Sequence, residues 1–139
     1  MTVIFEREED LKRERRAVET FVSVFGGSFQ KLDPFDIDFK VFDKEGKLIA
    51  YVEVKGRIRT MYDAYPLPLS VSKLHKLHSK RLNPTVIWAC EDGIIYGRIS
   101  KLEGDLKWGG REPREGTVND EEPMVYFDKQ KSLKYIRYK

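Results

Sequence analysis

The chain has 139 residues, 40% of them hydrophobic, and its 26 Lys and Arg against 23 Asp and Glu give a formal net charge of +3. This length is typical of one domain with one core, so we expect a single domain over residues 1–139. So small a net charge does not by itself indicate nucleic-acid binding, because the distribution of charge matters more than its sum. The single cysteine, Cys90, excludes a disulfide framework or a cysteine-based zinc site within one chain.

The hydropathy pattern gives no reason to expect a membrane protein. No apolar run approaches the ~20 residues that a membrane-spanning helix requires. The N-terminal order, a short apolar stretch followed by many charges, is the reverse of a signal peptide. We therefore expect a cytoplasmic protein with no membrane partner.

The N-terminal half predicts a helix and then a β-hairpin. Over residues 6–25, Val18, Phe21, Val22 and Phe25 recur at helical spacing, and Gly26 with Gly27 ends the helix. Residues 35–42 and 48–55 show the alternation of two strands, joined by a turn over residues 43–47.

The rest of the chain predicts a second helix and a second hairpin between two loops. Residues 56–69 are basic and then proline-bearing, which predicts a loop. Ser70 or Ser72 can cap a helix that runs to about residue 82. Residues 84–90 and 94–99 read as paired strands, residues 103–123 as a long loop and residues 124–127 as a last strand. This order predicts an α/β fold, that is, an α+β arrangement with a mixed sheet.

The first hairpin places acidic and basic side chains on one face. If the turn centres between Glu45 and Gly46, the numbers of cross-strand partners add up to 91, which puts Asp38 opposite Glu53 and Asp36 opposite Lys55. Residues two apart on a strand share a face, so three carboxylates and one ammonium converge.

Such a cluster favours a divalent metal. Neighbouring carboxylates repel one another unless a cation neutralises them, and oxygen ligands suit Mg²⁺ or Mn²⁺. Because Mg²⁺ keeps several of its waters, two carboxylates and the backbone carbonyl of Val54 would suffice. A water activated by the metal would be the nucleophile, with Lys55 positioning or deprotonating it.

The motifs DIDF at residues 36–39 and YVEVKGR at residues 51–57, with a glycine turn between them, resemble the PD-(D/E)XK nuclease superfamily. That group includes restriction enzymes, archaeal Holliday-junction resolvases and small phage nucleases. The order of elements over residues 6–99 is similar too, with residues 100–139 as a C-terminal loop and extension. Pro34 stands for the family's proline, although Phe35 separates it from Asp36.

The resemblance implies a restriction-endonuclease-like core, a central mixed sheet flanked by helices, and Mg²⁺- or Mn²⁺-dependent cleavage of DNA. Glu53 and either Asp38 or Asp36 would bind the metal, with Asp38 favoured, and Lys55 would assist the attacking water. Many members add a glutamate from the first helix, a position that Glu19 matches, although a solvated helix residue explains Glu19 equally well.

The sequence leaves open whether the substrate is linear, branched or single-stranded DNA or is RNA. It also leaves the assembly state open, although many resolvase-like relatives are homodimers. A viral member would work in the cytoplasm of its host. Cations outside the hairpin fit a phosphate track and are expected to bind nucleic acid: Arg57, Arg59, Lys73, Arg111 and Arg114.

Two other interpretations remain open. The first is a nuclease-like module that binds nucleic acid without cutting it, although such relatives usually lose one member of the Asp, Glu and Lys set. Alternatively, Glu53 and Lys55 form an ordinary exposed ion pair, which contributes little to stability. A deep acidic patch that binds metal would reject the last interpretation.

Overall fold

The computed structural model describes residues 8–32, 38–80, 82–111 and 120–139. Two α-helices and a 3-10 turn accompany nine strands within these residues. In chain order the elements are α1 (Glu8–Phe25), β1 (Ser28–Lys31), β2 (Phe39–Phe42), β3 (Leu48–Gly56), β4 (Leu67–Ser70), α2 (Val71–Ser79), β5 (Thr85–Ala89), β6 (Gly93–Arg98), the 3-10 turn (Ile99–Lys101), β7 (Asp105–Arg111), β8 (Asp120–Phe127) and β9 (Lys134–Arg137).

A mixed six-stranded sheet forms the centre, in the order β1-β2-β3-β5-β6-β9. β3 and β5 pair in parallel, whereas the other neighbours in this sheet are antiparallel. A second, antiparallel sheet has the order β4-β8-β7. The predicted α+β fold with a mixed sheet and flanking helices is confirmed, and it is consistent with a restriction-endonuclease-like fold.

Two cores lie on opposite faces of the central sheet. On one face, Ala17, Val18, Phe21 and Val22 of α1 pack against alternate residues of β2, β3 and β5. On the other face, α2 and the small sheet cover the intervening residues of β5, such as Trp88. The indole N–H of Trp88 donates to the Pro68 carbonyl oxygen at 2.8 Å and so ties the small sheet to the central one.

The two helices begin and end close to where the sequence placed them. Within the described residues, α1 covers Glu8–Phe25, and α2 begins directly after Ser70, whose hydroxyl accepts a hydrogen bond from the Lys73 N–H at 3.2 Å. The Ser70 cap is therefore confirmed over the Ser72 alternative. Neither helix within the described ranges is both long enough and apolar enough to cross a membrane.

Several strands were missed, and two predicted loops were partly wrong. Leu67–Ser70 forms β4 inside the predicted loop over residues 56–69, and β7 with β8 occupies much of the predicted loop over residues 103–123. β7 and β8 extend beyond the core, so Leu106 and Trp108 stay exposed and the usual apolar alternation is absent. The edge strands β1 and β9 have only four residues each, too few for a clear sequence pattern.

Candidate active site

The carboxyl end of β3 carries the cluster expected from the sequence. β2 and β3 pair with Phe39 opposite Val52 and Val41 opposite Ala50, the register in which partner numbers add up to 91. Asp38 comes directly before β2 and therefore reaches Glu53, as predicted. Asp36 lies outside the described residues.

Backbone hydrogen bonds fix how the two carboxylates face each other. The Val54 N–H donates to Asp38 Oδ2 at 2.8 Å, and the Asp38 N–H donates to Glu53 Oε2 at 3.3 Å. Each carboxylate thus accepts a bond from the backbone of the other's strand region. This reciprocal arrangement holds both side chains in place without a covalent or helical constraint.

Glu53 is a buried acid with a perturbed pKa. Only 5% of the residue is exposed, because β3 places it under α2. Burial, followed by the negative charge of Asp38, raises the pKa of Glu53 to about 7. A buried carboxylate beside a second carboxylate is electrostatically unfavourable, and a bound cation relieves that cost.

Lys73 supplies a positive charge at this point. Its Nζ lies 3.1 Å from Glu53 Oε1, and 37% of its side chain is exposed. A lysine in the first turn of a helix opposes the helix dipole, so its attraction to Glu53 compensates for an unfavourable position. Burial alone lowers the pKa of Lys73, but the charges of Glu53, Asp38 and Glu14 outweigh it and raise the pKa. The structure therefore places Lys73 in the cluster itself, where sequence reasoning had assigned it only to nucleic-acid binding.

The helix glutamate that acts on this cluster is Glu14, which sequence reasoning missed. Glu14 is 19% exposed at its side chain, pairs with Lys31 at 3.1 Å and contributes to the raised pKa of Lys73. The structure does not bring Glu19 to the cluster, because that side chain points to solvent and pairs with Arg15 at 3.0 Å. Glu14 precedes the buried Val18 by one helical turn, a spacing that places it on the inner face and could have identified it.

Lys55 lies beside the cluster at the mouth of a shallow pocket. The pocket has a volume of about 400 Å³ and lies between the end of β3 and the small sheet, where its lining includes Gly56, Arg57, Pro68 and Tyr126. Lys55 is exposed and forms no ion pair with any residue that the structure describes. Its ammonium is therefore available to a molecule entering the pocket.

The other predicted cations lie in different environments. The Arg57 guanidinium donates to the backbone carbonyls of Ala64 at 2.9 Å and Pro66 at 3.4 Å, so it holds the following loop against β3. Burial, and then the charge of Arg59, lowers the pKa of Arg57. Arg59 is exposed. The Arg111 backbone belongs to β7, whereas Arg114 lies outside the described residues.

The residues present fit a small divalent cation. Among the residues that the structure describes, no group of three His, Cys, Asp or Glu side chains is arranged to hold a metal. Mg²⁺ needs fewer protein ligands than that, because it keeps several waters and is often bound by one or two carboxylates. The convergent Asp38 and Glu53 meet this requirement. The raised pKa of Glu53 marks a position where a bound cation would stabilise the buried negative charge.

Comparison with known proteins assigns the chain to a family. One family model matches residues 2–134, and its description reads "Phage putative PDDEXK endonuclease". The chain belongs to this PD-(D/E)XK endonuclease family. The match covers the acidic hairpin, both helices, the small sheet and the central sheet up to the first residue of β9, which confirms the resemblance drawn from DIDF and YVEVKGR. Among curated proteins and solved structures, nothing matches the chain.

Membership in the PD-(D/E)XK family indicates the class of reaction to which the Asp38–Glu53 cluster belongs. The family is one of nucleases, so its substrate is nucleic acid and its reaction is hydrolysis. Nucleases of this superfamily typically use divalent metals.

Proposed function

We propose that this protein hydrolyses phosphodiester bonds in DNA with Mg²⁺ or Mn²⁺ held by Asp38 and Glu53. The observation that supports this most strongly is the pair itself: a buried glutamate with its pKa raised to about 7, locked against an aspartate by two backbone hydrogen bonds. A surface ion pair between Glu53 and Lys55 would show none of these features, since it would leave Glu53 exposed.

The carboxylates of Asp38 and Glu53 would hold the metal. Asp36 and the backbone carbonyl of Val54 are further proposed ligands. When bound, the ion would supply a Lewis acid that polarises a phosphoryl oxygen and lowers the pKa of a water. The Val54 N–H keeps Asp38 oriented, because it donates to the Oδ2 atom of that carboxylate. Glu14 adds negative charge near Lys73, which helps to hold that ammonium beside Glu53.

Lys55 would position the attacking water through its ammonium group, and the proton that this water loses would pass to solvent. The water oxygen forms a bond to phosphorus, the bond from phosphorus to the leaving oxygen breaks, and that oxygen takes up a proton. This role requires an ammonium that is not consumed by another ion pair, and the exposure of Lys55 at the pocket mouth meets the requirement.

The pocket beside Lys55 would carry the scissile strand. Its wall on the small sheet includes Tyr126 and Met124, and Arg57 lies at its base. Arg59, beyond the end of β3, would contact a neighbouring phosphate, and Lys73 is near enough to the cluster to approach one as well. Arg111 and Arg114 remain proposed contacts to the nucleic acid.

Cleavage of supercoiled plasmid and of branched and single-stranded oligonucleotides, with Mg²⁺ or Mn²⁺ and with EDTA, tests the proposal. We expect metal-dependent cleavage by the wild type and a loss of about a thousandfold or more in Glu53→Gln, since metal catalysis accounts for several kcal/mol. Glu45→Gln, an exposed glutamate in the β2–β3 turn, is the matched control and should cut normally. Equal cleavage by Glu53→Gln and the wild type would rule out this mechanism.

The second candidate is a nuclease-like module that binds nucleic acid without cutting it. The Lys73–Glu53 ion pair favours it, because a lysine that already neutralises the glutamate makes a metal less necessary. DNA binding without cleavage in any metal, together with unchanged binding in Glu53→Gln, would support this function over the first.

A further inference from the structure

We propose that a second site on this protein binds a nucleoside phosphate, at a basic pocket remote from the Asp38–Glu53 cluster. The basic pocket has a volume of about 580 Å³, within the usual range for small-ligand sites. Its lining combines two aromatic residues, Phe21 and Tyr96, with four cations, Arg98, Lys101, Lys131 and Lys134.

The basic pocket lies on the other face of the central sheet. Ala50 and Thr85 belong to the α1 face of β3 and β5, close to where these strands begin. Glu53 faces α2 at the opposite end of β3. A ligand in the basic pocket therefore touches neither proposed metal ligand, and the two sites can be tested separately.

The charge of the rim selects an anion. Four cations reach the basic pocket from separate segments: the end of β6, the 3-10 turn, the turn before β9 and the start of β9. All four are exposed, none forms an ion pair with a described residue, and the lining contains no acid. Four cations with no acid in the same lining create a positive potential, which attracts an anion such as a phosphate.

The floor of the basic pocket selects an aromatic group. Phe21 and Tyr96 meet edge to face with ring centroids 5.1 Å apart, and Ile49 and Ala50 extend the apolar surface beside them. A nucleobase packs well on such a floor, because every base offers an apolar π-face. An aromatic floor under a cationic rim matches a base and its phosphate in one molecule, whereas inorganic phosphate uses the rim alone.

Two sources could present this chemistry: a free nucleoside monophosphate or the terminal nucleotide of a DNA strand. Both bring one phosphate and one exposed base. The two sources differ in whether the rest of the DNA strand contributes to the binding affinity. Oligonucleotides with and without a 5′-phosphate distinguish the two sources.

Calorimetric titration of the full chain in EDTA with dAMP, deoxyadenosine and inorganic phosphate tests the inference. We expect dAMP to bind more tightly than deoxyadenosine or phosphate, and the Lys131→Gln, Lys134→Gln double variant to weaken dAMP about tenfold or more. Lys47→Gln, an exposed lysine in the β2–β3 turn outside the lining, is the control for charge and should bind as the wild type does. Melting temperatures confirm that each variant is folded.

Glu53→Gln separates this site from the cluster, since it should leave dAMP binding unchanged whether or not the protein proves to be a nuclease. Tighter binding of a 5′-phosphorylated oligonucleotide than of dAMP would assign the site to strand ends, and equal binding to free nucleotides. The inference is overturned by an absence of dAMP binding, by equal loss in Lys47→Gln and the double variant, or by loss in Glu53→Gln.

Discussion

The two ends of the central sheet carry clusters of opposite charge and neutralise them differently. At the carboxyl end of β3, two carboxylates meet under cover, and Lys73 neutralises one of them within the fold. At the start of β3 and β5, four cations ring an open pocket with no acid in its lining. Burial raises the energetic cost of an unmatched charge, so the acidic end needs a built-in partner, whereas the basic end can leave its charges to solvent or to a ligand.

Removing one lysine from each end of the sheet has the largest expected effect and tests whether only the acidic end takes part in cleavage. We expect Lys55→Ala to lower cleavage of a short duplex by about 10²–10⁴-fold, the usual contribution of a positioned proton-transfer group. Lys131→Gln loses the same charge at the basic end and should cut that duplex at the wild-type rate when the protein is in saturating excess over DNA. Single-turnover cleavage at saturating metal is the measurement. Normal cleavage by Lys55→Ala would remove this lysine from the mechanism.

The pH dependence of stability distinguishes the buried acid from exposed groups. The pKa of Glu53 is raised from 4.5 to about 7, so the folded chain binds this proton more tightly than the unfolded chain does. The stabilisation is therefore complete at low pH and is lost as pH rises through about 7. In EDTA we expect the free energy of unfolding to fall by about 2 kcal/mol more between pH 5.5 and 8.5 in the wild type than in Glu53→Gln.

Denaturant titrations of both proteins at the two pH values measure this difference. Glu45→Gln, at an exposed position, should follow the wild type. Parallel pH dependence in the wild type and Glu53→Gln would mean that Glu53 is ionised at its ordinary pKa.

Substitutions of Arg57 and Arg59, which lie at the edge of the acidic end, should have the smallest effects on stability and DNA binding. Arg57→Ala removes two hydrogen bonds to loop carbonyls and should cost about 1–2 kcal/mol of stability. Arg59→Ala should leave stability unchanged and lower the salt dependence of DNA binding by about one phosphate contact. Anisotropy titrations over a range of salt concentrations, with thermal melts, measure both. A lower salt slope and normal stability in Arg57→Ala would restore the direct phosphate contact expected from the sequence.

The acidic hairpin was predictable because its determinants are local. Alternation fixes which side chains share a face, and the predicted register holds where Phe39 pairs with Val52, although a bulge between Val41 and Phe42 shifts the pairing next to the turn. The Lys73–Glu53 pair joins a helix to a strand 20 residues earlier in the chain, and no periodicity records such a contact. Lys73 was recognised as a functional cation, but its partner was not.

The β7–β8 hairpin was not predictable for a different physical reason. Its strands combine glycine, proline and charge, which normally indicate a loop, and pairing with each other and with β4 stabilises them instead. Gly109 illustrates this, because a Cβ there would clash with the Tyr126 hydroxyl oxygen. The glycine that suggested a loop instead leaves room for a side chain of the neighbouring strand.

The most direct test of the central claim is the effect of divalent metal on the melting temperature, with calorimetry of the same titration. A metal that binds only the folded protein stabilises it by mass action, so Mg²⁺ or Mn²⁺ should raise the melting temperature of the wild type. Asp38→Asn should lose most of that rise and should be slightly more stable than the wild type in EDTA, since it deletes one of two repelling charges. If neither Mg²⁺ nor Mn²⁺ binds, with or without DNA, Asp38 and Glu53 are not a metal site and the proposed catalytic function is contradicted.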